Sequence, residues 1–466
     1  MKRAVVALAA VCLSHVALAQ AVDRSKQPVA PPAAPFHFPD QRTTTLANGL
    51  RVIVVENHAL PLVAVRAVVD VDSLEDPAGK QGLYDLTAEM LREGTAHMTA
   101  DAIVDSIAAL GNDVSPFRFT TITANFDRSL RLMAGMLTEP AFPAAAVDRT
   151  KAALTAAEQR QLQLAFTAPR RLLFEKLLGA EHPITHSVVN SLSETQSITR
   201  DDVVRFHDSY FRPNNTTLVV VGDVAARRVF EAARTAFGSW QRGPVPTVEY
   251  PRPPAASATT IYLFDRPNAP QTATLVGQLG PVGMTSDYAA LQVLGPVLGA
   301  SPGSRMHQDM REKHSYYYSG TPFGIGWRPA PLPSMLYGSV PIYVAKTDSA
   351  LAAWVNEIRG MRDQPPTEHE MTLARGFLLG MMTEQLETDD SVADRIAFRA
   401  ENHLAPGFYD AYVRSVAAVT PTDVLAAAKK YLDPEHLVIV MAGDRKFLEP
   451  KLAALNIGRV VVVDEK

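Results

Sequence analysis

The chain contains a single cysteine, Cys12, among 466 residues, and this excludes both a disulfide framework and a zinc site built from cysteines. It also lacks an excess of positive charge, since 45 lysines and arginines face 49 aspartates and glutamates for a net charge of -4. Nucleic acid is therefore not expected as a partner. Hydrophobic residues make up 47% and charged residues 20% of the chain, as in ordinary folded proteins. A chain of this length predicts at least two domains, because single cores stop growing near roughly 250 to 300 residues.

A long hydrophobic run is also missing at the amino terminus. Residues 1–19 read MKRAVVALAAVCLSHVALA, with two positive charges, a short apolar stretch and a small-x-small end before Gln20. This pattern predicts a cleaved signal peptide and a periplasmic location. The alternative, a membrane anchor, is disfavoured because a spanning helix needs about 20 apolar residues, so no stable membrane insertion is expected. Cleavage would discard Cys12 and, with Lys2 and Arg3, change the net charge from -4 to -6.

The chain carries an internal repeat. Residues 199–223 (TRDDVVRFHDSYFRPNNTTLVVVGD) align without a gap with residues 420–444 (TPTDVLAAAKKYLDPEHLVIVMAGD) at an offset of 221. The matching pairs are Thr199 and Thr420, Asp202 and Asp423, Tyr210 and Tyr431, Pro213 and Pro434, and Gly222-Asp223 and Gly443-Asp444. Each copy predicts a capped helix followed by a buried strand. The repeat indicates two similar domains, residues 41–242 and 257–466, joined by a proline-rich linker at 243–256 and preceded by an extended lead-in at 20–40.

The remaining pattern favours an α+β fold over a doubly wound parallel sheet. Asn48-Gly49 lies between two strand-like runs and predicts a hairpin, and residues 62–71 predict the next strand. Helices are expected at 82–93, 99–110, 127–138, 144–164 and 169–178, and further strands at 259–265 and 271–278. Because successive strands are joined by short turns, each domain is predicted to be a mostly antiparallel sheet layered with helices.

Common catalytic motifs are absent. The sequence has no G-x-S-x-G elbow and no H-E-x-x-H helix. His182 and His186 are four residues apart, but Pro183 between them is expected to prevent a regular helical turn, and we interpret them as loop residues.

Two segments resemble the pitrilysin/insulinase family of zinc peptidases, which includes mitochondrial processing peptidase. The first is Ser73 to Thr95, SLEDPAGKQGLYDLTAEMLREGT, which matches the flanks of the family's HxxEH helix. In active members the two histidines bind zinc and the glutamate activates its water. Here those positions are Asp85, Ala88 and Glu89, and the third ligand falls near Ala157 with Glu158 beside it. The resemblance thus implies a degenerate motif with no metal bound in this chain, Asp85 and Glu89 being solvated or salt-bridged, with a weakly bound hard cation as the alternative.

The second segment, Leu298 to Tyr318 (LGASPGSRMHQDMREKHSYYY), resembles a signature of the family's carboxy-terminal domain. Arg311 and Tyr318 occupy its paired arginine and tyrosine positions, and Ser304-Arg305 the preceding serine-arginine. The resemblance implies a catalytic role for Arg311 and Tyr318, binding substrate carbonyls and the developing oxyanion. The alternative is a solvated helix end with packed tyrosines.

The resemblance also implies how two chains could share one active site. Some bacterial members are heterodimers in which one subunit carries HxxEH and the other the Arg/Tyr pair. The leading hypothesis is a non-metal-binding subunit of a periplasmic peptidase, inactive alone, whose partner chain holds the zinc and whose substrates are peptides. Two alternatives stay open: an inert structural or peptide-binding subunit, and a self-sufficient enzyme that uses Asp85 and Glu89 with an unusual metal.

Overall fold

A computed structural model describes residues 36–255 and 258–464 of the chain. The predicted signal peptide and most of the predicted lead-in lie outside these ranges. Within them, two mixed β-sheets fall in the two predicted domains, and helices cover both faces of each sheet. The α+β class with mostly antiparallel sheets is confirmed.

The first sheet has five strands in the order β1-β2-β5-β3-β4. The strands are β1 (Arg42–Thr45), β2 (Arg51–Glu56), β3 (Leu62–Val69), β4 (Arg118–Ile122) and β5 (Thr216–Gly222). β1 and β2 form the predicted hairpin, and Gly49 in its turn has a φ of 96°, which glycine adopts without strain. β5 lies in the middle, parallel to β2 and antiparallel to β3, and is buried along almost its whole length.

The second sheet has six strands in the order β11-β6-β10-β7-β9-β8. The strands are β6 (Thr260–Asp265), β7 (Gln271–Val282), β8 (Thr321–Gly326), β9 (Pro333–Tyr343), β10 (Val438–Gly443) and β11 (Arg459–Val463). β10 repeats the arrangement of β5, since it is parallel to β6 on one side and antiparallel to β7 on the other.

The helices follow the predicted amphipathic segments. In the first half they are α1 (Leu83–Met90), α2 (Ala100–Leu110), α3 (Phe126–Thr138), α4 (Ala144–Leu162), α5 (Thr167–Leu178), α6 (Pro183–His186), α7 (Leu192–Ser197), α8 (Arg200–Tyr210) and α9 (Ala226–Phe237). In the second half they are α10 (Tyr288–Gly295), α11 (Thr347–Asp363), α12 (Glu368–Glu384), α13 (Asp389–Glu401), α14 (Phe408–Ala418), α15 (Pro421–Tyr431) and α16 (Arg445–Ala454). None of the helices in the described ranges is both long and apolar enough to cross a membrane.

The repeat predicted from the sequence is confirmed in the secondary structure. α8 and α15 begin and end at positions 221 residues apart, and each starts with a capping box. In the first copy the Asp202 N–H donates to the Thr199 hydroxyl (3.2 Å) and the Thr199 N–H to the Asp202 carboxylate (2.9 Å). Thr420 and Asp423 repeat this pair at 2.9 and 3.2 Å. These reciprocal bonds satisfy two of the free N–H groups at each helix start.

The two halves exchange helices. α5 of the first half packs its apolar residues, including Leu173 and Phe174, on β7 and β10 of the second sheet. α13 of the second half packs on β3 and β5 of the first sheet. There the buried Arg66 of β3 forms ion pairs with Asp390 (2.8 Å) and Asp394 (2.6 Å) of α13. Each sheet therefore has one face covered by a helix from the other half, so the two halves stabilise one another.

Candidate functional site

The first candidate region is α1, the helix that corresponds to the family's metal helix. The carboxylate of Asp76 accepts hydrogen bonds from the backbone N–H groups of Gly82 (2.8 Å) and Tyr84 (2.7 Å) and so caps the helix start. Burial raises the pKa of Asp76 to about 7, although these two hydrogen bonds oppose the shift. Gly82 itself has a φ of 90°, which admits the sharp turn into the helix.

The three degenerate motif positions have different surroundings. Asp85 is half-buried and accepts a hydrogen bond from the Asn190 side chain at 2.9 Å. Ala88 has no polar group, and Glu89 is exposed. For Glu89 the structure matches the expectation of a solvated helix residue, whereas Asp85 is tied to another part of the first half.

The expected third-ligand position is occupied by Glu158 rather than Ala157. Ala157 is exposed, whereas Glu158 is buried and the hydroxyl of Thr195 lies 3.4 Å from both of its carboxylate oxygens. Burial raises the pKa of Glu158, and the charge of Asp85 contributes to the shift. The carboxyl groups of α1 and α4 therefore come near each other, as the resemblance implies. Asn190 and Thr195 were missed by sequence reasoning, because nothing in their local pattern distinguishes them from loop and helix-start residues.

These residues do not fit zinc. Zinc prefers imidazole and thiolate ligands in tetrahedral arrangement, and α1 offers two carboxylates and an alanine. Among the residues of the two described ranges, no group of three or more histidine, cysteine, aspartate or glutamate side chains is placed to hold a metal ion. Without a glutamate at position 88, the helix also has no general base to activate a water.

His182 and His186 form no part of such a site. The expectation that Pro183 prevents a helical turn between them is wrong, because Pro183 is the first residue of α6, where a missing N–H costs nothing. His182 caps this short helix by accepting from the Ile184 N–H (3.2 Å) and stacks on Tyr250. Burial lowers the pKa of His182, so the neutral form of this histidine is favoured.

The second candidate region follows α10 and contains two π-helical segments, Pro296–Ala300 and His307–Lys313. Between them, Arg305 forms a bidentate pair with Glu370 of α12, at 2.6 and 3.1 Å. The buried Ser304 hydroxyl contacts the His307 ring at 3.1 Å. The serine-arginine pair thus fastens the second π-helical segment to the neighbouring helix, and such segments often occur at functional sites.

The structure brings Arg311 and Tyr318 together. The Arg311 guanidinium lies 5.4 Å from the centre of the Tyr318 ring, within the range of a cation–π contact. Tyr318 is 74% exposed and Arg311 is about one-third exposed. Arg311 also forms an ion pair with the adjacent Glu312 at 3.5 Å. Between Arg311 and Tyr318, Tyr317 is buried and forms an isolated β-bridge with Ile342. The buried tyrosine anchors the segment while the arginine and the phenol face outward, so both donors are available to another molecule.

Fold and site together define a class of protein: a two-sheet α+β chain with a degenerate metal helix and an exposed Arg/Tyr pair. Residues 197–378 match the family described as "Peptidase M16 inactive domain", a range that includes Arg311 and Tyr318 but not α1. The chain is 24% identical over 297 residues to "Zinc protease PqqE" of Helicobacter pylori, with 60% of this chain and 66% of that protein covered. An uncharacterized zinc protease of Streptomyces coelicolor is 22% identical over 410 residues, with 84% and 87% covered. The chain thus spans just under two thirds of the length of the H. pylori relative.

Solved structures share the fold. The "peptidase M16 inactive domain" from Pseudomonas fluorescens superposes with a TM-score of 0.77 at 24% identity, covering 87% of this chain and 98% of that one. The periplasmic protease PqqL from Escherichia coli gives a TM-score of 0.71 at 13% identity, covering 91% of this chain and 50% of that one. The predicted resemblance to the pitrilysin/insulinase family is confirmed: residues 197–378 match the inactive domain of peptidase family M16, and relatives that align with 60% and 84% of this chain are named zinc proteases.

Proposed function

We propose that this protein is the non-metal-binding subunit of a two-chain zinc peptidase and that it supplies Arg311 and Tyr318 to a partner chain carrying HxxEH. The observation that carries the proposal is the contrast within one chain: α1 lacks the side chains for zinc, whereas Arg311 and Tyr318 are adjacent and face outward. In this proposal zinc belongs to the partner chain, and this chain is inactive alone.

The comparisons support a role in proteolysis. Two relatives are named zinc proteases, and the matched family description is that of an inactive domain. This chain covers half of full-length PqqL, and the first half of PqqL alone has this fold. A second chain would supply the other half. The description of PqqL as periplasmic also supports the predicted signal peptide and export, which amino-terminal sequencing of the secreted protein would test by a start at Gln20.

The two side chains have a definite chemical use in this proposal. A guanidinium supplies a planar set of N–H donors and a phenol supplies one O–H donor, and both suit an oxygen that gains negative charge in the transition state. The residues sit three to ten positions before β8, which is an edge strand of the second sheet. A peptide substrate bound in extended form along a sheet edge would pair its backbone with such a strand, which would hold its carbonyl groups near Tyr318.

The test is reconstitution with an HxxEH-bearing chain followed by peptide hydrolysis assays. Arg311→Ala should lower kcat/KM roughly 100-fold or more, the effect of losing about 2.7 to 4 kcal/mol of transition-state stabilisation. Tyr318→Phe should lower it less, because it removes one neutral donor. The exposed Arg227 of α9, changed to alanine, is the matched control and should leave turnover unchanged.

The outcomes separate this proposal from an inert structural or peptide-binding role. Unchanged turnover in both variants would contradict it. A purified complex that hydrolyses no peptide with any HxxEH-bearing partner would favour the structural role instead. The unfolding midpoint of this chain should not move in either variant, because both side chains are on the surface.

A further inference from the structure

A short turn, residues 314–316, leads from the π-helical segment that carries Arg311 towards the exposed Tyr318. Within this turn the Ser315 N–H donates to the Arg311 carbonyl at 3.0 Å. Ser315 has a φ of 52°, in the left-handed region that favours glycine. A serine keeps this conformation only where neighbouring contacts hold it, and residues held in this way often occur at functional sites. The conformation of the turn sets how Arg311 and Tyr318 face each other.

Lys346 contacts this turn at several points. Its ammonium group donates to the carbonyl oxygens of His314 (2.9 Å) and Ser315 (3.3 Å), and no backbone N–H in the described ranges donates to either carbonyl. The same ammonium group lies 5.9 Å from the centre of the Tyr316 ring, which stacks on the His314 ring at 5.1 Å. A positive charge is favourable at the carboxyl end of a helix, where the last carbonyl groups have no partner within the helix. Lys346 therefore caps the helical segment that carries Arg311.

These contacts differ from those of an ordinary surface lysine. Lys346 is exposed, and its side chain forms no ion pair within the described parts of the chain. The carboxylates of the π-helical segment pair with other cations, Asp309 with Lys313 and Glu312 with Arg311, at 3.5 Å each. An exposed lysine loses side-chain freedom when it is held in one position, and the two carbonyl contacts of Lys346 are the interactions that offset this loss.

The second sheet fixes the backbone from which Lys346 extends. Lys346 ends the single helical turn Val344–Lys346, which lies between β9 and α11. At the end of β9 the Tyr343 N–H donates to the Tyr316 carbonyl at 3.1 Å. The sheet thus supports both the backbone of the 314–316 turn and the lysine that binds the carbonyl groups of that turn. A site is held most precisely when its supporting residues lie on such rigid elements.

We propose that Lys346 is a positioning residue for Arg311 and Tyr318. By binding the carbonyl groups of the turn between them, it keeps the guanidinium group and the phenol directed at the same point. Lys346 acts through these two side chains and does not itself contact the substrate. The inference deepens the proposed function and rests on it, because the geometry of the pair matters for turnover only if the pair takes part in the reaction.

The test uses the reconstituted two-chain peptidase. Lys346→Met keeps an unbranched side chain but removes the donors, and it should lower kcat roughly 10- to 100-fold with little change in KM, because a displacement of about 1 Å can cost that much. Lys346→Arg keeps charged donors and should retain most of the activity. Combined with Arg311→Ala, Lys346→Met should cause no further loss, because the arginine that it positions is then absent.

The matched control is Lys430→Met on α15. The Lys430 ammonium group also lies over a tyrosine ring, 4.9 Å from the centre of Tyr431, but it pairs with the carboxylate of Asp287 instead of with carbonyl groups of the turn. This variant should leave kcat and KM unchanged. Thermal unfolding of each variant checks that the fold is retained, and the midpoint should hardly move in Lys346→Met because the side chain is exposed.

Hydrogen exchange of the isolated chain provides a second measurement that needs neither the partner nor turnover. The N–H groups of Ser315 and Tyr316 donate to the carbonyls of Arg311 (3.0 Å) and Met310 (2.8 Å). Both should exchange several-fold faster in Lys346→Met than in the wild type, because the turn opens more often once its carbonyl groups lose the ammonium donor. Lys430→Met should leave their exchange unchanged.

The outcomes separate a failure of this inference from a failure of the proposed function. If Arg311→Ala lowers turnover and Lys346→Met does not, the pair is catalytic but Lys346 does not position it. The inference is also overturned if Lys346→Met causes the same loss with and without Arg311→Ala, or leaves the exchange of Ser315 and Tyr316 unchanged. If neither Arg311→Ala nor Tyr318→Phe alters turnover, the proposed function fails and this inference fails with it, whatever the exchange rates show.

Discussion

The α1 region and the Arg311–Tyr318 segment differ in how their polar side chains are used. Around α1, Asp76 caps the helix, Asp85 accepts from Asn190, and Glu158 is buried beside Thr195. Around residue 311 the arginine contacts Tyr318 and pairs with the exposed Glu312, and both Arg311 and Tyr318 otherwise face outward. Polar groups satisfied within the fold contribute to stability, whereas groups left unsatisfied are free to bind something else. The comparison assigns α1 a structural role and leaves the second segment available for another molecule.

The first and largest predicted effect would give α1 a binding role again by restoring the HxxEH motif in that helix. The change is Asp85→His, Ala88→Glu and Glu89→His together. Residues 85 and 89 lie one turn apart on α1, and Glu158 is close enough to Asp85 for their charges to interact, so two imidazoles and a carboxylate should converge. We expect one equivalent of zinc to remain after dialysis, measured by mass spectrometry of the metal content.

The control for the rebuilt motif adds Glu158→Gln, which should weaken zinc binding by roughly 10- to 100-fold or more, because it removes the third ligand, a carboxylate that is the only charged group beside two neutral imidazoles. A rebuilt helix that retains no zinc would show that more than the side chains of α1 has changed.

The second prediction compares arginines that are paired within the fold with arginines that are exposed, and asks how much each contributes to stability. Arg66 is buried and pairs with two aspartates of α13, so Arg66→Met should lower the free energy of unfolding by about 3 kcal/mol. Arg118 lies 3.4 Å from the same Asp390 but is exposed, and Arg118→Ala should cost less than about 0.5 kcal/mol. Arg311→Ala should also leave stability unchanged. Urea titration of the three variants measures all three values. If Arg311→Ala lowered the free energy of unfolding by more than about 1 kcal/mol, Arg311 would, like Arg66, stabilise the fold.

Much of the fold could be predicted because it depends on local patterns. The repeat at an offset of 221, the hairpin at Asn48-Gly49 and most helix positions follow from capping residues, turn chemistry and apolar periodicity. The exchange of α5 and α13 could not be predicted, because periodicity shows that a helix has an apolar face but not which sheet that face covers.

Some features of the candidate site could likewise be predicted from the sequence, and others could not. The degenerate positions of α1 can be located from their flanking residues, and the structure places Glu158, not Ala157, toward them because the side-chain direction on α4 depends on register. The pairing of Arg311 and Tyr318 follows from the resemblance, but no sequence pattern indicated the π-helical segment that carries Arg311. A cavity between the two halves, lined among others by residues 67–75 and 401–403, could not be predicted, since its walls come from segments more than 300 residues apart.

A third prediction concerns Glu75, the last residue of the Ser73–Glu75 turn in the first half. Burial raises its pKa from an ordinary 4.5 to about 7, so the folded protein retains a proton that the unfolded chain releases near pH 4.5. The stability from this proton is fully present below about pH 4.5 and is lost as the pH rises through about 7. Glu75→Gln stays neutral and should be about 1.5 kcal/mol more stable than wild type at pH 8, the full shift being discounted for partial exposure. The two proteins should unfold at the same temperature at pH 4.5.

Thermal unfolding at both pH values measures this difference, and Glu89→Gln on the exposed face of α1 is the control that should shift neither midpoint. A Glu75→Gln variant whose advantage is equal at pH 4.5 and pH 8 would contradict the assignment, because the effect would then not come from ionisation.

The smallest predicted effect compares the two copies of the repeat directly. Thr199→Ala and Thr420→Ala each remove the hydroxyl that accepts the aspartate N–H at 3.2 Å, and each should cost about 1 kcal/mol. Asp202 also pairs with Lys80 at 3.0 Å, whereas no lysine in the described ranges pairs with Asp423. The threonine's own bonds have the same lengths in both copies. Serine at either position keeps the hydroxyl and should restore most of the loss in urea titrations. Losses that differ by more than about 1 kcal/mol would mean that the two caps have the same geometry but contribute differently to stability. In that case the start of α8 would depend more on the contact between Asp202 and Lys80 than on Thr199.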